Sequence, residues 1–436
     1  MTNTRFDPVD SLKGEFTPAP DKSISHRAAL FGAMSDMPVT IENYLFAADT
    51  ISTLNAIRSL GAGVDEQEDG LVIRGVGLRG ALEATGGNLH VGNAGTLLRL
   101  LPGWLAGQGK GMWTLDGDES IRKRPVDRVL EPLAAMGARI EAREGRLAPM
   151  TVHGGELQGT DHKLAVASAQ VKSCLLIAGI LADGQTSITE PARSRDHTER
   201  MLKHARVPFE KAGNRVTVRQ MDELELEAIV VPGDPSSAAF LVAAACIVPG
   251  SRLLVSGVGL NWTRTGFFRI AQRMGAVIVG DMEAPPEGDE DIPDTEPVGE
   301  LDVRAAALEG TVVEGDEVPL AIDELPLVAL LGACAEGETI VKGAGELRVK
   351  ETDRIAGVVD GLSALGVDIE ATDDGFAVRG GTIKGGTLEA RGDHRLAMLG
   401  AIAGLASEEG VEVQGMEAAA ISYPAFEDDL RRLLGG

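Results

Sequence analysis

Cysteine is scarce in this chain, with three residues among 436. Cys174, Cys246 and Cys334 lie far apart, each in an apolar run that is predicted to be helical. An odd, scattered set of apolar cysteines argues against a disulfide framework and against a zinc site. We therefore expect a reducing compartment, the cytoplasm.

Basic charge is also in short supply. The chain has 41 Lys and Arg against 66 Asp and Glu, which gives a formal net charge of -25. Such a field repels nucleic acid and anionic membranes, so neither is expected as a partner. Against this background, a local cluster of Lys and Arg is more informative than it would be in a neutral protein.

Long apolar runs are absent, and aromatic residues make up 3 % of the chain. No run reaches the length of a transmembrane helix, and the opening MTNTRFDPVDSLKGEF lacks the apolar core of a signal peptide. What the chain has instead is length and glycine. Its 436 residues and 55 Gly predict two or more domains, with small side chains packed beneath sheets.

One pattern recurs six times: a polar turn, a helix rich in Ala and Leu, a Gly-containing turn and a β-branched strand. The copies are PDKSISHRAALFGAMSDMPVTI from Pro20, GNAGTLLRLLPGWLAGQGKGMWTL from Gly92, ASAQVKSCLLIAGILADGQTSIT from Ala167, PGDPSSAAFLVAAACIVPGSRLLV from Pro232, AIDELPLVALLGACAEGETIV from Ala321 and GDHRLAMLGAIAGLASEEGVEV from Gly392. Between copies, a second helix ends in a Gly turn before a further strand. Each unit therefore reads strand, helix, strand, helix, strand, strand, which predicts an α/β fold.

The helices of the six copies are apolar nearly all round, which is typical of helices buried on every side. Six buried helices require a shell of sheet outside them, and three units per domain give two domains of similar size. The segment Val231–Pro235 is the predicted crossover, and the strand near Leu12–Thr17 can pair with either domain. The acidic, proline-rich stretch Asp281–Glu300 has no periodicity and is expected to be a mobile surface excursion with little functional weight.

The densest cluster of charge is Glu346–Arg354, ELRVKETDR. Its apolar pair predicts a short strand end, and the helix 355–365 is expected to follow. Lys350, Glu351 and Arg354 have the spacing at which side chains on a helix become neighbours. Taken alone, the stretch is equally a charge-paired first turn exposed to solvent.

Other helices also open on polar residues, where free amides and the helix dipole favour anions. These openings are 21–27, 92–96, 122–125, 168–172, 193–198, Asp323 and 392–395. A local structural role is the alternative for each: an N-cap for Asp21, Ser23, Ser168 or Asp196, a plain turn for 92–96, a solvated loop for 122–125, and a favourable helix start for Asp323. Gln170 and Lys172 are unexpected on an apolar helix unless they face a wet cleft, and His26 is not expected to be catalytic.

Together these motifs resemble those of one family. PDKSISHR, GNAGT, the Arg124-Pro125 pair, SAQVKS, RDHTE, PGDPSSAAF, IDELP, LRVKETDR and DHR resemble the motifs of the 5-enolpyruvylshikimate-3-phosphate synthases. They follow that family's order from Asp21 to about Phe426, nearly the whole chain. SAQVKS and RDHTE resemble the bacterial enzymes of the family that are often tolerant to glyphosate.

The resemblance implies a two-domain, inside-out α/β barrel, in which each domain has three βαβαββ units with buried helices and outer sheets. Residues 1–20 plus 234–436 would form the first domain and 21–233 the second, with the active site in the cleft between them. The implied activity is transfer of the enolpyruvyl group of phosphoenolpyruvate to the 5-hydroxyl of shikimate-3-phosphate, on the pathway to chorismate and the aromatic amino acids. The resemblance implies a monomer that needs neither metal nor organic cofactor.

The resemblance also assigns residues to the two substrates. For shikimate-3-phosphate they are Lys22, Ser23, Arg27, Ser168, Ala169 (through its backbone), Gln170, Arg195, Asp323 and Lys350. For phosphoenolpyruvate they are Lys22, Asn93, Gly95, Arg124, Gln170, Arg354 and Arg395. Two polyanions need many cations to be brought together, and the reaction needs a proton donor at the methylene carbon and a base at the hydroxyl. We expect Glu351 to be the donor and Asp323 the base, with Lys22 sharing in the catalysis.

Two other readings remain open. The sister carboxyvinyltransferase that acts on UDP-N-acetylglucosamine shares the fold, but it usually carries a cysteine on a mobile loop and lacks DKSISHR and LRVKETDR. A non-catalytic module that binds phosphorylated metabolites would keep the arginines but could lose Glu351 or Asp323, and both are present. Within the favoured family, Gly95 leaves room beside phosphoenolpyruvate, so glyphosate is predicted to compete with that substrate.

Overall fold

The computed structural model describes residues 3–83, 88–287 and 291–435. The chain forms two compact units. Unit 1 comprises Met1–Ala19, Pro232–Ala284 and Pro297–Gly436, and unit 2 comprises Pro20–Val231 and Pro285–Glu296. The chain thus leaves unit 1 after the N-terminal strands, and returns to it at the Gly/Pro-containing crossover segment. Residues 285–287 and 291–296, which were expected in the first domain, belong to unit 2.

The strands of the described residues are short. They are β1 (Asn3–Phe6), β2 (Lys13–Phe16), β3 (Pro38–Glu42), β4 (Gly63–Gln67), β5 (Gly70–Arg74), β6 (Asn88–His90), β7 (Met112–Asp116), β8 (Arg139–Arg143), β9 (Leu147–His153), β10 (Asp161–Lys163), β11 (Gln185–Thr189), β12 (Phe209–Ala212), β13 (Arg215–Arg219), β14 (Ala228–Val230), β15 (Arg252–Gly259), β16 (Val277–Val279), β17 (Val298–Arg304), β18 (Val312–Val313), β19 (Glu338–Val341), β20 (Asp368–Ala371), β21 (Phe376–Arg379), β22 (Gly386–Glu389) and β23 (Val411–Gln414).

The helices alternate with these strands. They are α1 (Lys22–Met34), α2 (Ala48–Ser59), α3 (Gly95–Ala106), α4 (Asp127–Ala135), α5 (Ala169–Gly179), α6 (His197–His204), α7 (Pro235–Ile247), α8 (Gly266–Arg273), α9 (Val318–Ala321), α10 (Leu325–Ala333), α11 (Arg354–Ala364), α12 (His394–Leu405) and α13 (Phe426–Leu434). Short 3₁₀ helices span Ile121–Lys123, Gly315–Glu317, Gly345–Val349 and Met416–Ile421. None of the helices in the described ranges is long and apolar enough to cross a membrane.

Each sheet contains one parallel pair of strands extended by an antiparallel hairpin or strand. In the described part of the chain the sheet orders are β14-β3-β5-β4, β6-β7-β9-β8 and β10-β11-β13-β12 in unit 2, and β16-β17-β15-β2, β18-β19-β21-β20 and β1-β23-β22 in unit 1. In the pairs β6–β7, β10–β11, β18–β19 and β22–β23, one of the recurring helices lies between the two parallel strands in sequence, which agrees with the predicted α/β repeat. The sheet β1-β23-β22 departs from the predicted unit, because β1 takes the place of its terminal hairpin. The strand near Leu12–Thr17 is β2, and it pairs in parallel with β15 of unit 1.

The recurring helices form the core of each unit. Helices α7, α10 and α12 pack against one another in unit 1, and α3 packs against both α1 and α5 in unit 2. In α7, every residue from Ala238 to Cys246 is at most 1 % exposed. Helices without a polar face are stable only where every side is covered, so they occupy the centre and the sheets lie outside. Their polar first turns then stand at the ends of the apolar core.

The acidic stretch that was expected to be a surface excursion is partly built into unit 2. Ile292 is 2 % exposed, and Glu296 Oε1 lies 2.6 Å from His197 Nδ1. Arg200 Nη1 donates to the carbonyl of Thr295 at 2.9 Å. These contacts are made by single side chains and carbonyls, which leave no periodic signal in the sequence. Residues 288–290 of the stretch lie outside the described residues.

Candidate active site

The segment that was predicted to be a strand end is a 3₁₀ helix. It spans Gly345–Val349, with Leu347 fully buried. Helix α11 then begins at Arg354 and is capped by Asp353, whose carboxylate accepts a hydrogen bond from the Ala356 amide at 3.0 Å. Two alternating apolar residues are too few to distinguish a strand from a 3₁₀ turn. The lysine and glutamate of the charged stretch therefore precede the helix rather than open it.

Arg354 is the centre of a buried ion network in unit 1. Its Nε donates to Asp393 at 2.8 Å, Nη1 to Asp323 at 3.3 Å and Nη2 to Glu351 at 2.5 Å. Burial would lower the pKa of Arg354, but the charges of these three carboxylates raise it well above its ordinary value. Burial would likewise raise the pKa of Asp393, yet the charges of Arg354 and His394, together with the hydrogen bond from Arg354, outweigh burial and lower it. Arg354 is thus a permanent cation that orients three carboxylates.

Asp323 joins the remaining predicted residues of unit 1 to this network. It lies in the turn between α9 and α10, and its Oδ1 is 3.2 Å from Lys350 Nζ. Arg395 Nη1 donates to the Asp323 carbonyl at 2.9 Å, and its Nη2 lies 3.9 Å from Oδ2 of the carboxylate. The structure therefore brings Asp323, Lys350, Glu351, Arg354 and Arg395 into one cluster.

Sequence reasoning missed Glu324, which is also part of this cluster. Its Oε1 lies 3.4 Å from Arg395 Nη1 and accepts a hydrogen bond from the Ser236 hydroxyl. Arg264 Nη2 donates to Ser236 Oγ at 2.9 Å and to Asp234 at 2.7 Å. The sequence signal that could have indicated Glu324 was its position as an acidic residue at the N-terminus of an otherwise apolar helix.

In unit 2, Lys22 stands at the first position of α1. The helix is capped by Asp21, which accepts from the Ile24 amide at 2.8 Å, so the cap is the aspartate rather than Ser23. Lys22 Nζ lies 3.1 Å from Asp49 Oδ2. Within the described residues, Oδ1 of Asp49 is buried and has no hydrogen-bond partner. Asp49 was not predicted, because an acid in the first turn of a helix is ordinary.

Arg27 is buried one turn further along α1. Its Nη1 donates to the Ser23 carbonyl at 3.0 Å, its Nε to Thr198 Oγ1 at 2.9 Å and its Nη2 to Ser173 Oγ at 2.9 Å. The two hydroxyls also lie 2.6 Å from each other. The predicted ligand therefore also ties α1 to α5 and α6.

A second group of cations surrounds the start of α3. A Cβ added to Gly95 would lie 2.7 Å from Arg124 Nη1 and 3.1 Å from Arg99 Nη1. Arg99 Nη1 donates to Gln170 Oε1 at 3.3 Å, and Gln170 Nε2 donates to Thr96 Oγ1 at 3.1 Å. Arg99 was missed, although a lone base one turn after a Gly-rich helix start, in the apolar run GTLLRLLPGWLA, was a signal.

Only one of the three bases in the 122–125 loop of unit 2 is buried. Arg124 is 8 % exposed, whereas Arg122 is turned toward solvent and donates to Asp116 at 2.9 Å. Asn93 is half-buried in the turn before α3. The predicted clamp is thus reduced to Arg124, with Arg99 as its neighbour.

The α5 start and the segment before α6 hold the other predicted ligands. Ser168 caps α5, with its Oγ 3.4 Å from the Val171 nitrogen, and Ala169 and Gln170 are half-buried in the first turn. Half-buried Arg195 precedes α6.

Asp196 occupies the N-cap position of α6, but its side chain does not cap. Its carboxylate accepts instead from Arg200 Nε at 3.0 Å. Lys172, expected to face a wet cleft, is 3 % exposed and ion-paired on both sides.

The chain is similar to known proteins over nearly its whole length. The family described as EPSP synthase (3-phosphoshikimate 1-carboxyvinyltransferase) matches residues 6–430. The 3-phosphoshikimate 1-carboxyvinyltransferase of Acidithiobacillus ferrooxidans is 47 % identical over 427 residues, which cover 98 % of this chain and 96 % of the relative. That of Methylococcus capsulatus is 45 % identical over 430 residues, with the same coverage of each chain. A solved structure of EPSP synthase from Acinetobacter baumannii superposes with a TM-score of 0.85 at 38 % identity, over 99 % of this chain and 98 % of that one.

Proposed function

The chain belongs to the EPSP synthase family, and we infer from its match over residues 6–430 that it is a 3-phosphoshikimate 1-carboxyvinyltransferase. It transfers the enolpyruvyl group of phosphoenolpyruvate to the 5-hydroxyl of shikimate-3-phosphate and releases phosphate. This reaction belongs to the shikimate pathway, which leads to chorismate and the aromatic amino acids. The full-length family match carries this conclusion, and neither alternative reading is favoured by it. We further propose that the enzyme acts in the cytoplasm as a monomer.

We propose that the cations of unit 2 bind the anionic groups of the substrates. Arg124, with Asn93, Gly95 and Gln170 around it, would hold phosphoenolpyruvate. A guanidinium presents its donors in a planar fork that matches carboxylates and phosphates. Arg99 is added to this set, because it donates to Gln170 and lies beside Gly95.

The set proposed for shikimate-3-phosphate in unit 2 is Lys22, Ser23, Arg27, Ser168, Ala169, Gln170 and Arg195. Lys22 and Ala169 are the first residues of α1 and α5, where free backbone amides favour a phosphate. Arg27 donates to the Ser23 carbonyl and to the hydroxyls of Thr198 and Ser173, so its contribution would include holding α5 and α6 in place. Lys22 would contact both substrates while Asp49 holds its ammonium group.

The ion network of unit 1 contains two carboxyl groups that could serve as the acid and the base of the reaction. Its cluster holds the proposed donor Glu351 and the proposed base Asp323, each on the Arg354 guanidinium. Asp323 would take the proton of the attacking hydroxyl, while Glu351 would protonate the methylene carbon of phosphoenolpyruvate. The resulting ketal would then lose phosphate and return one proton of its methyl group to Glu351, which restores the double bond. Lys350 would contact shikimate-3-phosphate, and Arg354 and Arg395 phosphoenolpyruvate.

Arg354 links binding to catalysis in this proposal. Its three nitrogens donate to Asp393, Asp323 and Glu351. An anionic substrate on Arg354 would therefore compete with these carboxylates for the guanidinium. Displacing Glu351 would release its carboxylate from the guanidinium, so that it could take up a proton from solvent and then turn toward the methylene carbon. Asp393, which is fully buried and also caps α12, would keep the guanidinium in place.

Phosphate release tests the function and the role of Glu351 together. The wild-type protein should release phosphate when both substrates are present, and should release none when UDP-N-acetylglucosamine replaces shikimate-3-phosphate. Glu351→Gln should lower kcat by about 10²- to 10⁴-fold, the usual contribution of a general acid, while both substrates still bind. Glu338→Gln, which removes an exposed carboxylate paired with Arg379 in the same unit, is the matched control. If the wild type bound both substrates but released no phosphate, the binding-module reading would replace this one.

We also propose that glyphosate competes with phosphoenolpyruvate, because residue 95 is a glycine beside Arg124. The inhibition constant is measured against varied phosphoenolpyruvate at saturating shikimate-3-phosphate. A constant far above the KM for phosphoenolpyruvate would contradict the proposal.

A further inference from the structure

A buried charge triad lies behind the proposed shikimate-3-phosphate ligands of unit 2. Lys172 Nζ is 2.8 Å from Glu190 Oε2 and 2.7 Å from Glu199 Oε1. The three side chains are 2 to 4 % exposed. Among the described residues, none bonds the second oxygen of Glu199, which is also buried. Nothing in the proposed chemistry uses these three groups.

The triad joins three consecutive elements that carry or flank proposed ligands. Lys172 lies on the first turn of α5, just after Gln170. Glu190 follows β11, and its other carboxylate oxygen accepts from Ser194 Oγ at 2.5 Å, so that it holds the residue next to Arg195. Glu199 lies in the first turn of α6. The ammonium group of Lys172 thus connects the first turn of α5 with Glu190, which precedes the loop that carries Arg195, and with Glu199, which follows it.

A neighbouring pair of hydroxyls supports the same alignment. Ser173, which follows Lys172, donates to the Ala169 carbonyl at 2.6 Å, and its oxygen lies 2.6 Å from Thr198 Oγ1. Both hydroxyls receive hydrogen bonds from Arg27. The first turns of α5 and α6 are therefore joined by directional bonds at two successive positions.

Stability alone is a poor reason for these charges. Desolvating a lysine and two carboxylates is costly, and apolar side chains of similar volume often hold two helices together as well or better. What an ion triad provides and apolar packing lacks is a defined direction for each contact. We propose that Lys172, Glu190 and Glu199 are positioning residues, which set the Arg195 loop against the first turn of α5 so that Ser168, Gln170 and Arg195 meet shikimate-3-phosphate together. This inference rests on the proposed function.

Three variants test the triad. Lys172→Met/Glu190→Gln/Glu199→Gln removes all three charges at similar volume and leaves no unpaired ion, whereas Lys172→Arg keeps the charge and the capacity to bridge. Arg215→Met/Asp161→Asn removes an exposed ion pair of the same unit and is the matched control. For each protein we would measure kcat, KM for each substrate, the dissociation constant of shikimate-3-phosphate by calorimetry without phosphoenolpyruvate, and the melting temperature.

The charge-free variant should raise both KM and the dissociation constant for shikimate-3-phosphate by about tenfold or more, because displacements near 1 Å are costly in a preorganised site. Its kcat should change less than about threefold, and its KM for phosphoenolpyruvate should rise less than that for shikimate-3-phosphate, because phosphoenolpyruvate shares only Gln170 of the three positioned ligands. Lys172→Arg should recover shikimate-3-phosphate binding. A folded charge-free variant that binds shikimate-3-phosphate as the wild type does would overturn the inference.

Should the triple variant not fold, Glu199→Gln alone decides. A dissociation constant raised by about threefold or more supports the positioning role, and an unchanged one overturns it. Failure of the proposed function would appear differently, as a wild-type protein that releases no phosphate from the two substrates.

Discussion

Replacing Gly95 by alanine should damage phosphoenolpyruvate use without damaging the fold. Gly95 is the first residue of α3, and its φ angle lies outside the left-handed region, so alanine can adopt the same backbone conformation. The new Cβ would lie 2.7 Å from Arg124 Nη1. A relaxed contact needs about 3.5 Å, so the guanidinium must retreat by roughly 0.8 Å.

The size of the effect follows from what Arg124 is proposed to do. A hydrogen bond between a cation and an anion is worth about 1.5–3 kcal/mol. Since 1.4 kcal/mol corresponds to tenfold, losing one such bond should lower kcat/KM for phosphoenolpyruvate by roughly 10- to 150-fold. The KM for shikimate-3-phosphate should change less than about threefold, because its proposed ligands Lys22, Ser168 and Arg195 are untouched. Glyphosate, as a proposed competitor, should also bind more weakly.

Stability is the internal control. Alanine is favoured over glycine in helices by up to about 1 kcal/mol, and the atoms that must move are the far ends of two arginine side chains. The melting temperature should therefore stay the same or rise slightly. Gly109→Ala, at a loop glycine with nothing within 4 Å of the added Cβ, is the matched control for both assays. If Gly95→Ala kept kcat/KM for phosphoenolpyruvate within about twofold, Arg124 would not be the ligand that we infer.

Two further predictions concern stability. Arg354→Met should lower the free energy of unfolding, measured by urea denaturation, by about 3–5 kcal/mol, because three carboxylates lose their shared cation. The control Arg379→Met, at an exposed arginine, should change it by less than about 0.5 kcal/mol. A loss for Arg354→Met as small as that of the control would contradict the buried network. Burial, together with the charges of Lys22 and Arg27, lowers the pKa of His26 from 6.5 to about 3. Because the folded-state pKa lies below the unfolded one, the stability that His26 contributes is present above pH 6.5 and is lost as the pH falls toward 3, by about 3 kcal/mol at pH 4.5. His26→Gln should flatten the urea stability curve between pH 7 and 4.5, and an unchanged slope would contradict the assignment.

The sequence by itself determined the architecture and the family. Six apolar helices with polar first turns required burial of the helices and an outer shell of strands, because periodicity and hydrophobicity are local properties that survive in any packing. The motifs in the same polar turns were specific enough to indicate the family. They also marked Asp323, Lys350, Glu351, Arg354 and Arg395, which the fold gathers into one network.

Only the tertiary structure decided which partner each charge has. Arg99 lies beside Gly95 through local helix spacing, but its bond to Gln170 joins α3 to α5. Glu324 faces Arg395, a residue 71 positions away. Lys172 turned out to be buried against two carboxylates. Such pairings depend on how helices from distant parts of the chain pack together, and no local pattern encodes them.

The charged stretch Glu346–Arg354 shows both what its sequence determined and what only the tertiary structure decided. Its composition indicated an anion-binding helix start, and its motif suggested the role of each side chain. Its conformation is a 3₁₀ helix followed by a capped α-helix. This conformation depends on the hydrogen bond from the Ala356 amide to Asp353 and on the burial of Leu347 in the core. The position of Arg354 depends on its hydrogen bond to Asp393, which is the N-cap residue of α12. The sequence thus indicated the charged groups of the cluster, whereas the packing of α10, α11 and α12 determines their geometry.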